Sequence, residues 1–74
     1  MDITTIVKKL IEKGGEIFDI TSNCIEMQMC HDIKIYVDNK YEVLDVRKEK
    51  VELQYPFSML NDKTLNKILE FMGD

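Results

Sequence analysis

Apolar residues along this chain follow two periods, and the change from one to the other divides it into three parts. Ile3, Ile6, Val7, Leu10 and Ile11 recur at i, i+3, i+4, i+7 and i+8, the single apolar stripe of an amphipathic helix. Asp2 stands where an N-cap carboxylate can accept from the free backbone N–H groups of the first turn. Lys8, Lys9 and Lys13 crowd toward the other end, where they suit the helix dipole. Gly14-Gly15 predicts the stop, because glycine enters the left-handed region without a Cβ clash.

From there the period falls to two. Residues 16–20 form a short strand candidate, followed by the turn formers Thr21-Ser22-Asn23. Ile25, Met27 and Met29 alternate with Glu26, Gln28 and Cys30, and Ile33, Ile35 and Val37 alternate with Lys34 and Tyr36. The parity is unbroken from Ile25 to Val37. It fits a hairpin turning near Cys30-His31-Asp32, or one long bent strand; the hairpin agrees better with ordinary strand lengths. Asp38-Asn39-Lys40 predicts a second turn, since Asp and Asn tolerate positive φ. The next strand, 41–47, has an irregular stretch at Val43-Leu44-Asp45-Val46, for which a bulge is one cause. After Lys48-Glu49-Lys50, Val51, Leu53 and Tyr55 alternate with Glu52 and Gln54 until Pro56.

Period 3.6 returns at the end. Asn61 is the N-cap, and Leu60 and Leu65 have the spacing of a hydrophobic staple. Leu65, Ile68, Leu69 and Met72 make the buried stripe, and Gly73 closes it. The predicted fold is α+β: an N-terminal helix, an antiparallel sheet of three to five strands and a C-terminal helix, both helices on one face of the sheet. One face covered and one solvated explains the polar alternate positions. With 74 residues the chain forms a single domain, 1–74.

Composition narrows the function classes. The opening residues 1–5 lack the basic start and apolar run of a signal peptide, and no apolar run approaches the roughly 20 residues of a membrane span. The expectation is a cytoplasmic protein, with Cys24 and Cys30 as thiols and no membrane partner. The formal charge is −4, and residues 16–32 hold Glu16, Asp19, Glu26 and Asp32 with no Lys or Arg. Arg47 is the sole arginine, so direct nucleic-acid binding is not expected. Many Ile and Lys and no Ala suggest an AT-rich genome, such as that of a low-GC bacterium or its phage.

Candidate chemistry is sparse. Cys24, Cys30 and His31 are too few and wrongly spaced for a structural zinc site. Cys30-His31-Asp32 names the parts of a nucleophilic triad, but triads are assembled from distant positions and neighbours on a strand point to opposite faces. Gly14-Gly15 lacks the remainder of a phosphate loop. No enzyme and no cofactor are expected. Met27, Met29, Met59 and Met72 read as core fillers or as an adaptable surface.

The remaining signal lies in residues whose parity or turn position turns them outward: Glu26, Asp32, Tyr36, Asp38 and Glu42. They are the candidate partner-binding set, an acidic rim with one aromatic suited to a protein with a basic surface.

The order of elements, the size and the sign of the charge resemble those of small acidic phage-encoded inhibitors, in particular the Cas9-binding anti-CRISPR proteins that act as DNA mimics. The resemblance implies a stoichiometric inhibitor of a bacterial defence or nucleic-acid-processing protein, encoded by a phage or mobile element and acting in the host cytoplasm. It shares no motif and assigns no residue a role. Two other readings stand beside it. One is a homodimeric structural or housekeeping domain, joined through a sheet edge or the tyrosine-bearing face. The other is a small-ligand or nucleotide binder with its site at an oligomer interface.

Overall fold

The computed structural model describes residues 1–73. A helix, α1 (Ile3–Glu12), leads into five strands, β1 (Glu16–Ile20), β2 (Cys24–Gln28), β3 (Lys34–Asp38), β4 (Val43–Lys48) and β5 (Val51–Pro56). A 3₁₀ turn (Phe57–Met59) and a second helix, α2 (Asp62–Gly73), complete the chain. The strands pair antiparallel in sequence order β1-β2-β3-β4-β5, a meander with two free edges. Both helices and the sheet build the α+β arrangement that the periodicities predict.

The ends of the helices follow their residues. Asp2 Oδ1 accepts from Thr5 N at 2.8 Å, and this bond holds the Asp2 carboxyl below the usual carboxylate range. At the other end Gly15 N donates to Leu10 O at 2.9 Å and Gly14 N to Ile11 O at 3.0 Å, a Schellman closure with Gly14 at φ 98°. A Cβ on Gly15 would lie 2.8 Å from Leu10 O, so the chain reverses there only because that atom is absent. Asn61 Oδ1 caps α2 by accepting from Thr64 N at 2.8 Å. Lys13 and Lys9 reach the Asp62 carboxylate at 3.0 and 3.5 Å, joining the end of α1 to the start of α2.

One face of the sheet meets the helices. Met27, Ile35, Val37, Leu44 and Val46 are buried on it, together with Ile6 and Leu10 of α1 and Leu65, Ile68 and Met72 of α2. Phe57 and Leu60 plug the connection between β5 and α2. Met27, Met29 and Met72 are core residues, while Met59 is exposed. The stripes are narrower than expected: Leu69, Ile3 and Val7 are only partly buried, and Ile11 faces solvent. Strands β2 and β3 form a hairpin, not one bent strand, and His31 (φ 63°) and Asp32 (φ 59°) supply the left-handed residues of its turn.

The expected bulge in β4 is absent. That strand keeps an unbroken register with both neighbours, and the apparent irregularity is Val43, an apolar residue on the same face as Asp45 and opposite to Leu44 and Val46. The bulge lies in β1, where Ile17 pairs with Met27 and Asp19 with Glu26, leaving Phe18 as the extra residue.

Candidate functional site

Among the described residues no helix lies on the second face of the sheet. Strand alternation places Glu16 and Asp19 of β1, Cys24, Glu26 and Gln28 of β2, and Lys34, Tyr36 and Asp38 of β3 on it. The same register adds Val43, Asp45 and Arg47 of β4 and Glu52 and Gln54 of β5. One cross-strand row runs Asp19, Glu26, Tyr36, Asp45, Gln54 across the whole sheet. The open face thus bears six carboxylates and two cations, a net of −4 equal to the formal charge of the entire chain. Acids and bases elsewhere balance.

The face has two unlike halves. On the β4–β5 side Arg47 is held from three directions: its Nη2 lies 3.0 Å from Asp45 Oδ2 and 3.3 Å from Glu52 Oε2, and its guanidinium sits 4.8 Å from the centre of the Tyr36 ring. The hydrogen bond to Asp45, and then that residue's charge, hold Arg47 more firmly protonated than usual. Gln54 Nε2 also donates to Asp45 Oδ2 at 3.4 Å. With these partners Asp45 tolerates being only 8% exposed. On the β1–β2 side Glu16, Asp19 and Glu26 stand without a basic neighbour in the register.

Cys24 reports the potential between these halves. Burial pushes its thiol above the ordinary value first, and the carboxylates of Asp38, Glu26 and Asp45 add to the rise. A thiol so placed is held protonated and is a poor nucleophile. It borders two adjoining depressions. One of about 380 Å³ has Tyr36, Asp38, Tyr41 and Asp45 on its walls, and one of about 200 Å³ has Asp19, Glu26 and Tyr36. Tyr41 projects over the first from the β3–β4 loop, with Lys40 Nζ 5.3 Å from its ring centre. Asp38 fixes that loop by accepting from Lys40 N at 2.8 Å and Tyr41 N at 3.0 Å.

Of the five residues singled out in the sequence, Glu26, Tyr36 and Asp38 share this face. Glu42 sits beside it in the β3–β4 connection at φ 53°, its carbonyl accepting from Phe57 N. Asp32 is not with them. It lies in the β2–β3 turn, past the far end of β3 from Asp38, a separation of more than about 13 Å along the strand. His31 in that turn lies against Gly73 of α2, so Cys30-His31-Asp32 is a turn packed at the helical end of the molecule. Sequence reasoning missed Glu16, Asp19, Asp45, Arg47 and Glu52. The signal for the β4 pair was the alternation of Leu44 and Val46, which turns Asp45 and Arg47 together to the opposite side.

Both cysteines are free, and among the described residues no group of three or more His, Cys, Asp or Glu side chains is gathered closely enough to hold a metal ion. No helix is long and apolar enough to cross a membrane, again among the described residues. Comparison with protein-family models, curated proteins and solved structures found no match.

Proposed function

We propose that this chain is a non-catalytic binding module that docks the open face of its sheet onto a protein with a basic surface. The observation that carries the reading is charge placement: six carboxylates and two cations, a net −4, stand on the broad face that no element covers among the described residues. Glu16, Asp19 and Glu26 supply the attraction, Tyr36 an aromatic platform, and the Asp45–Arg47–Glu52 network a rigid border. Exposed carboxylates of this kind raise the association rate at long range, and they add affinity where docking excludes water from a close pair. Carboxylates spread over an open sheet face present to a cationic cleft the sign of charge that a phosphate backbone presents. The partner class is therefore a nucleic-acid-processing protein, and the action is stoichiometric inhibition of the kind phages and mobile elements encode.

The reading is tested with nona-arginine as the basic probe. Glu16→Lys with Glu26→Lys should weaken binding far more than Glu12→Lys with Glu70→Lys, which changes the net charge equally on the helical side. Raising salt should lower the association rate of the wild type more than that of the open-face pair. Equal weakening by the two double variants would remove the open face from the mechanism.

A further inference from the structure

The two free edges of the sheet are built differently, and the difference points to a second interaction surface. Edge β1 is blocked twice. Phe18 bulges out of register, and the carboxylate of Asp19 accepts from Ile20 N at 2.9 Å, occupying a donor that a further strand would need. Edge β5 has neither device. Its pairing with β4 runs from Lys48↔Val51 to Val43↔Pro56 without a shift.

The backbone phase of β5 follows from that register. A two-residue connection, Glu49-Lys50, closes the β4–β5 hairpin, so Lys48 and Val51 form a hydrogen-bonded pair. Alternation then turns the N–H and C=O of Val51, Leu53 and Tyr55 toward β4, and those of Glu52, Gln54 and Pro56 outward. Two facts fit this phase: Pro56 has no N–H to offer, and Phe57 N donates inward to Glu42 O at 2.8 Å.

We propose that two copies of this chain pair antiparallel through β5, with Glu52 opposite Gln54 and Leu53 opposite Leu53 of the second copy. Chemistry selects this register from its neighbours. Sliding one way sets Glu52 against Glu52, a like-charge pair; sliding the other sets Pro56 against Glu52, and Pro56 has no N–H to donate to the outward carbonyl of Glu52. The chosen register opposes no like charges and uses the N–H and C=O of both Glu52 and Gln54 in each copy. It also brings Val51, 47% exposed at this edge, opposite Tyr55. The product is one continuous ten-stranded sheet (two times five strands) whose open faces adjoin. The pairing uses an edge and not the acidic face, so it stands or falls separately from the docking role.

Sedimentation equilibrium over micromolar to millimolar protein tests it. The apparent mass should rise from 8.7 kDa toward twice that value. Over the same range, amide exchange at Glu52 and Gln54 should slow, while Val51, Leu53 and Tyr55 stay protected throughout. Leu53 then faces its copy across a non-hydrogen-bonded pair, with Cα atoms about 4.5 Å apart, within the span of a disulfide. With Cys24→Ser and Cys30→Ser, Leu53→Cys should therefore form a covalent dimer on oxidation, and Val51→Cys should not. Circular dichroism identifies any variant that fails to fold, and the wild-type mass and exchange data then decide alone. A mass fixed at 8.7 kDa overturns the proposal. So does a dimer in which exchange at Glu52 and Gln54 is unchanged.

Discussion

The two faces of this sheet are made by the same strands, one residue out of step. On the covered face Met27, Ile35, Val37, Leu44 and Val46 are fully buried and meet two helices. On the open face, Glu26, Tyr36, Asp45 and Arg47 occupy the intervening positions of the same strands. Burial of apolar surface, about 25 cal/mol for each Å², is concentrated on the first face. The second is free of that duty wherever its side chains are unpaired, and that freedom leaves room for recognition. The division is not complete. Asp45 is nearly as buried as a core residue and is held by Arg47 and Gln54, so the β4 end of the open face has a structural task and the β1–β2 end does not.

The largest expected effect lies on the covered face. Leu10→Ala or Leu65→Ala should each cost about 2–5 kcal/mol, in a domain whose whole stability is on the order of 5 kcal/mol. Glu16→Lys or Glu26→Lys should change it by less than about 0.5 kcal/mol. Thermal midpoints check the contrast, and comparable losses on both faces would break it. Next comes the hinge between helix and sheet. Gly15→Ala forces a Cβ to within 2.8 Å of Leu10 O and 2.5 Å of Met29 Sδ. Overpacking of this kind costs about 1–3 kcal/mol, which denaturant titration would read as a lowered midpoint with an unchanged slope.

A smaller effect concerns acid. Lys13, by hydrogen bond and charge, and then Lys9 hold the Asp62 carboxyl below its usual value. The folded state therefore has the lower pKa. The stability this group adds is present above the unfolded carboxylate value near 3.8 and is lost as pH falls below it. Asp62→Asn should lower stability slightly at neutral pH and reduce its decline below about pH 4. Asp62 itself is solvent-exposed, so the change is modest. An undiminished acid decline would assign the effect to other carboxylates.

Much of the fold was legible because its signals are local. The Asp2 cap, the Gly14-Gly15 stop, the Asn61 cap and the strand parities each depend on a few adjacent residues. What escaped depends on pairing. Ile17 and Ile20 are three residues apart, and only an extra residue between them lets both pair with Met27 and Ile25 on one face; that odd spacing was the sign of the Phe18 bulge. Val43 suggested an irregular β4 because an apolar residue seemed out of place on the polar face, where it in fact lines the depression beneath Tyr41. Asp32 was grouped with Asp38 although successive turns of a meander fall at opposite ends of the strand they share. The acidic face as a unit needed the register of all five strands, which no single segment contains.

The most direct test of that face uses the thiol already within it. In a Cys30→Ser background, the pH at which alkylation of Cys24 reaches half its maximal rate measures the thiol's pKa. That value is raised by burial and by Asp38, Glu26 and Asp45. Docking of a cationic partner should lower it by offsetting those charges. The account requires the midpoint to fall with Glu26→Gln and with saturating nona-arginine, and to stay put with Glu70→Gln on the helical side. A midpoint indifferent to the peptide while the peptide binds would place the basic partner elsewhere and contradict the account.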